Sequence, residues 1–173
     1  MRAFSLFIFI FAFSACSVLK SIESPSARYR NYLDDRVREA KIFDRGRSLV
    51  AIKAIYADDK LKQAQHDLTP GFVFPYDESV EQVLVAVDMT TWERFSKNDL
   101  KFKLDDIGAN KVRELTNPIE TETHYPFAHP HFRIFIVNFD RHPVAASSEK
   151  QLWVQTLRGD LKLMIPLGES EAQ

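Results

Sequence analysis

Residues 132–139 read FRIFIVNF, and this octet restricts the fold more than any other stretch of the chain. Successive side chains of a strand point to opposite faces. Phe135, Val137 and Phe139 therefore face one way, and Phe132, Ile134 and Ile136 the other. Residues 48–56, SLVAIKAIY, have the same character: β-branched, apolar, with Lys53 as the single charge. Such runs describe strands covered on most of both faces.

Further segments carry the period of two. In 82–89, QVLVAVDM, Val83, Val85, Val87 and Met89 share a face. Leu100, Phe102 and Leu104 alternate with Lys101 and Lys103, which predicts a half-exposed strand. Residues 111–115 follow a turn at Gly108-Ala109-Asn110. Residues 151–157 and 161–167 flank Arg158-Gly159-Asp160, predicting a hairpin with Gly159-Asp160 at its turn. About seven short strands separated by turn signals predict a mainly β (α+β) fold, a β-sandwich of immunoglobulin-like type. The Cys…Trp…Cys pattern of antibody domains is absent; Trp92 and Trp153 occur without cysteines.

Helical spacing marks the region before these strands. Tyr29, Tyr32, Leu33, Val37, Ala40 and Phe43 recur every three or four residues, while Arg28, Arg30, Asp34, Arg38 and Lys41 fall on the other side. This predicts an amphipathic helix over 27–43, with Ser26 as N-cap and Gly46 as its stop. Asp58 is placed to cap a second helix through Gln65, with Leu61, Ala64 and Leu68 turned inward. The loop 69–77, TPGFVFPYD, carries Phe72, Phe74 and Tyr76, which either cover the end of a core or form a contact patch.

The first seventeen residues, MRAFSLFIFIFAFSACS, are of another kind. Arg2 precedes eleven residues, Ala3 to Phe13, that are apolar but for Ser5. As a helix they span roughly 16 Å, about half of a ~30 Å hydrocarbon core. That is too short to cross a membrane and fits the core of a cleaved signal peptide. Small residues Ser14 and Ala15 lead to Cys16, the only cysteine of the chain. Phe13-Ser14-Ala15-Cys16 resembles the lipobox of bacterial lipoproteins. The resemblance implies a diacylglyceryl group on the Cys16 sulfur, removal of 1–15 and acylation of the new amino terminus. Ser17 in place of aspartate implies the outer membrane, facing the periplasm. Two or three acyl chains hold far more firmly than one. Two other readings of these residues stay open: an ordinary thiol in an apolar helix, and cleavage by the general signal peptidase. A lone cysteine has no partner for an internal disulfide.

Removing 1–15 leaves 158 of 173 residues, one domain's worth. Residues 16–26 form a polar tether ending in Ser24-Pro25-Ser26, and 27–173 form the domain. Lys plus Arg falls from 23 to 22 with the loss of Arg2, against 24 Asp plus Glu. So near a balance points to neither nucleic acid nor an anionic membrane surface as partner. Five glycines in the whole chain argue against a glycine-rich phosphate loop.

Signals for chemistry are sparse. His124, His129 and His131 fall within eight residues, behind Glu120 and Glu122. His129 and His131 point the same way on an extended segment, and three neutral imidazoles with water suit zinc or another divalent transition metal. Pro126 and Pro130 suit a plain crossover equally well. The chain has no G-x-S-x-G elbow, and the lipobox resemblance assigns its cysteine to lipid. Asp34-Asp35, Asp58-Asp59 and Asp105-Asp106 read as caps and turns rather than as a glycosidase pair. Arg158-Gly159-Asp160 matches an adhesive tripeptide, but hairpin chemistry accounts for it. The expectation is a lipid-anchored cell-envelope protein with a non-catalytic binding or scaffolding role. Its expected partners are the membrane, through the lipid on Cys16, and an envelope protein. The alternative is a small metal protein built on the three histidines.

Overall fold

A computed structural model describes residues 24–71, 75–89, 96–117, 125–128, 131–141 and 148–167. The leader, Cys16, Phe72, Phe74, Trp92, His124 and His129 lie outside the described residues. Among those described, the elements are α1 (Pro25–Arg36), β1 (Arg38–Asp44), β2 (Arg47–Tyr56), α2 (Asp59–Leu68), β3 (Glu81–Met89), β4 (Lys101–Leu104), β5 (Ile107–Gly108), β6 (Lys111–Leu115), β7 (Arg133–Phe139), β8 (Glu149–Thr156) and β9 (Gly159–Pro166). The strands make two antiparallel sheets, one of order β1-β2-β3-β7-β6 and one of order β5-β4-β8-β9. The chain is thus mainly β and sandwich-like, as expected, with nine described strands rather than seven.

Both faces of the five-stranded sheet are covered. One face meets the smaller sheet: Phe135, Val137 and Phe139 of β7 pack with Val83, Val85 and Val87 of β3 against Phe102, Leu152 and Val154. On the other face, Ile134 and Ile136 join Leu84 and Ala86 beneath Tyr29 and Leu33 of α1, Leu61 of α2 and Tyr125. The two-faced pattern of 132–139 is realised residue by residue, and it requires three layers rather than two. Among the described residues, a helical layer covers the outer face of only one sheet. The outer face of the smaller sheet carries Lys101, Lys103, Lys162 and Met164, all exposed.

The helix expected over 27–43 is a correction. Helix α1 ends at Arg36, and strand β1 occupies Arg38–Asp44. Val37 adopts an extended backbone while its N–H still donates to the Leu33 carbonyl at 2.8 Å, closing the helix. Val37, Ala40 and Phe43 match helical spacing, but Arg38, Ala40 and Ile42 match a strand equally well. Pairing with β2, Ala40 against Ile52 and Ile42 against Val50, settles the choice. Phe43 is then left 62% exposed while Ile42 packs on the core. The cap moves too: the Ser24 hydroxyl, not Ser26, accepts from the Ala27 N–H, with Pro25 in the first turn.

Gly46 stops no helix; with Arg45 it forms the two-residue turn between β1 and β2. Both have positive φ, +47° and +78°, which suits the right-handed twist of a tight hairpin. The β8–β9 hairpin turns at Leu157-Arg158, two residues earlier than expected, because Gly159 already pairs with Thr156. Gly159 has φ +136°, and a Cβ there would meet the Ile42 side chain at 3.4 Å, so the residue suits both the turn and the contact with β1. Asp58 does cap α2, accepting from the Leu61 N–H at 2.7 Å, and the helix continues to Leu68.

Candidate functional site

Buried polar groups of this domain fall into distinct clusters. Beneath the helices, Gln65 is fully buried: its Nε2 donates to the Tyr29 hydroxyl at 2.9 Å, and its Oε1 accepts from the Tyr76 hydroxyl at 2.6 Å. Burial holds both tyrosine hydroxyls well above their ordinary range. Next to it, Asp58 accepts from the Tyr32 hydroxyl at 2.6 Å and faces Arg36 Nη1 at 3.8 Å, while the Arg36 guanidinium lies 5.6 Å from the Tyr32 ring centre. A groove of about 270 Å³ runs over these rings between α1 and α2, rimmed by Arg28, Lys60 and Asp67. Because the hydroxyls of Tyr29 and Tyr32 are committed to Gln65 and Asp58, these clusters tie the helical layer to itself.

Between the sheets, Lys150 of β8 donates to Glu81 of β3, and both residues are buried. The Lys150 ammonium lies 6.0 Å from the Tyr56 ring centre. Burial, reinforced by the Glu81 carboxylate, pushes the Tyr56 hydroxyl up to about 12. Farther along, Arg133 grips Glu114 through two bonds of 2.6 Å. In each ion pair the charge is met inside the protein.

A third arrangement opens outward. A cleft of about 300 Å³ lies where β3, β7 and β6 meet the turn that precedes β3. It is lined by Pro75, Tyr76, Asp77, Gln82, Lys111, Arg113, Ile136 and Asn138. Sheet register makes it: Gln82 pairs with Asn138, Asn138 with Lys111, and Arg113 with Ile136, so these side chains share the helix-side face near the edge strand β6. The Asp77 backbone N–H donates to Gln82 Oε1 at 2.9 Å, and Gln82 Nε2 donates to Asn138 Oδ1 at 3.0 Å. Arg113 Nη2 donates to the Pro75 carbonyl at 3.0 Å. Asp77 Oδ1 accepts from both the hydroxyl and the N–H of Ser79, at 2.6 and 2.9 Å. Those bonds, with Lys111 and Arg141 nearby, hold its carboxyl below the usual carboxylate range.

The histidines expected to hold a metal are not assembled among the described residues. His131 is exposed ahead of β7, while His124 and His129 lie outside the described residues. Among the described residues, no group of three His, Cys, Asp or Glu side chains is placed to hold a metal ion. Cys16 also lies outside them, and no described helix is long and apolar enough to cross a membrane. Asp58 is a helix cap, and Asp105 sits in the β4–β5 turn with φ +53°, accepting from the Gln151 N–H. Sequence reading missed both the Glu81–Lys150 pair, whose partners are 69 residues apart, and the cleft, which draws on four separate segments. The one local cue was the run of Lys111 and Arg113 on a short strand. No protein-family model, curated protein or solved structure matches this chain.

Proposed function

We propose that this chain is a lipid-anchored protein of the bacterial cell envelope, held on the outer membrane through Cys16 and facing the periplasm, and that its domain acts by binding. The observation that carries the anchor is in the leader. A single Arg2, an apolar run too short to span a bilayer and the small pair Ser14-Ala15 end on the sole cysteine. The first described helix begins at Pro25, nine residues after Cys16. At ~3.3–3.6 Å per residue the stretch between them reaches no more than about 32 Å even if fully extended.

Binding, rather than chemistry, is favoured by the distribution of charge. The buried Glu81 and Lys150 neutralise each other, and the part-buried Asp58 and Arg36 face each other at 3.8 Å. The cleft beside β6 is a polar concavity that presents amide and cationic donors. Metabolic labelling with palmitate tests the anchor. The parent chain takes up label and sediments with membranes, and Cys16→Ser loses both. Undiminished label on Cys16→Ser overturns the proposal.

A further inference from the structure

We infer that the cleft beside β6 binds an oxyanion, the carboxylate or phosphate group of a small ligand, on Lys111, Arg113 and Asn138. The inference names the ligand chemistry of the binding role proposed above. It is carried by an imbalance between donors and acceptors in the cleft wall.

The orientation of each amide follows from its neighbour. Gln82 receives a backbone N–H, that of Asp77, so the atom it offers there is its oxygen. Its nitrogen is then the atom turned to Asn138, which must answer with its own oxygen. That leaves the Asn138 Nδ2, with two N–H groups, free of any partner among the described residues. Arg113 spends one donor on the Pro75 carbonyl and keeps the others of its five. The Lys111 ammonium makes no hydrogen bond or ion pair among the described residues.

The acceptors are largely consumed. Gln82 Oε1, Asn138 Oδ1, the Pro75 carbonyl and Asp77 Oδ1 each already receive a proton donor. Of these acceptor groups, the second Asp77 oxygen alone receives no donor among the described residues; it lies at the turn side of the cleft, and its charge confines an incoming anion to the β6 side. A guanidinium, an ammonium and a primary amide on adjacent strand positions suit the several lone pairs of an oxyanion, and charge-assisted bonds are the strong ones. Neighbouring side chains on a sheet face stand within reach of a single small group.

The test titrates the full chain, in non-ionic detergent, with inorganic phosphate and separately with acetate, followed by the amide resonances in NMR. Sodium chloride at matched ionic strength is the reference. The expected result is saturable movement of the Asn138 side-chain amide and of the Lys111 and Arg113 backbone amides. Lys111→Gln with Arg113→Gln, both exposed positions, weakens that binding at least about tenfold while the melting temperature holds. Saturation by phosphate alone assigns a phosphate group, and saturation by acetate alone a carboxylate. No movement with either anion, movement reproduced by chloride, or affinity unchanged in the double variant overturns the inference. Because palmitate labelling of Cys16 is indifferent to the cleft, the anchor and the ligand fail separately.

Discussion

The two sheets of this domain solve the burial problem differently. In the five-stranded sheet, β3 is buried without interruption from Glu81 to Val87, and β7 from Ile134 to Val137. In the four-stranded sheet, β8 and β9 bury every second residue and leave the rest half-buried or exposed. The first sheet is a middle layer and the second an outer one. Position in the stack, rather than strand propensity, sets the composition: Val, Ile and Phe on both faces of a middle strand, alternation with Lys and Gln on an outer one. The difference also locates the polar chemistry. The edge of a sheet covered on both faces leaves a recess where its covering layer stops, and the cleft beside β6 occupies that recess.

Paired substitutions on the two outward faces probe the contrast most strongly. Ile136→Ala, on the face beneath the helices, is expected to cost about 2–5 kcal/mol. Met164→Ala, on the open face of the smaller sheet and 46% exposed, should change stability by no more than about 0.5 kcal/mol. Chemical denaturation of both reads the difference; equal costs would mean that the helical layer does not pack on its sheet.

The Glu81–Lys150 pair joins the sheets and should be next in effect. Lys150→Met leaves a buried carboxylate unmatched, at a cost of about 3–5 kcal/mol. Adding Glu81→Leu should recover most of it, because an apolar pair replaces an ionic one. A double variant as unstable as the single would show that the ion pair is indispensable to the sheet junction. A smaller loss is expected beneath the helices. Gln65→Leu strips a partner from each of Tyr29 and Tyr76, for about 1–3 kcal/mol, with the helical layer loosening before the sheets in hydrogen exchange.

The gentlest probe is alkaline pH. Tyr56 ionises near 10 in an unfolded chain and near 12 in the folded one. The folded state therefore keeps its proton longer, so this contribution is complete below pH 10 and is lost as pH rises towards 12. Tyr56→Phe should flatten that fall in denaturant melts at stepped pH; an unchanged slope would assign it to Tyr29, Tyr32 and Tyr76, whose hydroxyls shift in the same direction.

Legibility followed the same division. Strands whose apolar residues recur at period two or fill both faces were plain, since burial leaves its mark on neighbouring residues. β2, β3, β7 and the β8–β9 pair all lie where the pattern put them, within a residue or two at their ends. β1 was hidden, because REAKIFD carries apolar residues at spacings that a helix and a strand both accept. The cleft was hidden for another reason. Lys111, Arg113, Gln82, Asn138 and Asp77 are ordinary surface residue types, and only the β3–β7–β6 register lines them up.

Taken alone, the sequence determined the mainly β character, the helix cap at Asp58 and the two opposed faces of 132–139. Each is written in local periodicity or in a run of neighbouring residues, and needs no distant partner. Tertiary structure decided the three-layer stacking, the extended conformation of 38–44, the burial of Glu81 against Lys150 and the gathering of donors beside β6. Those depend on which strands pair and which faces meet, and the free energy that selects them comes from contacts between residues tens of positions apart.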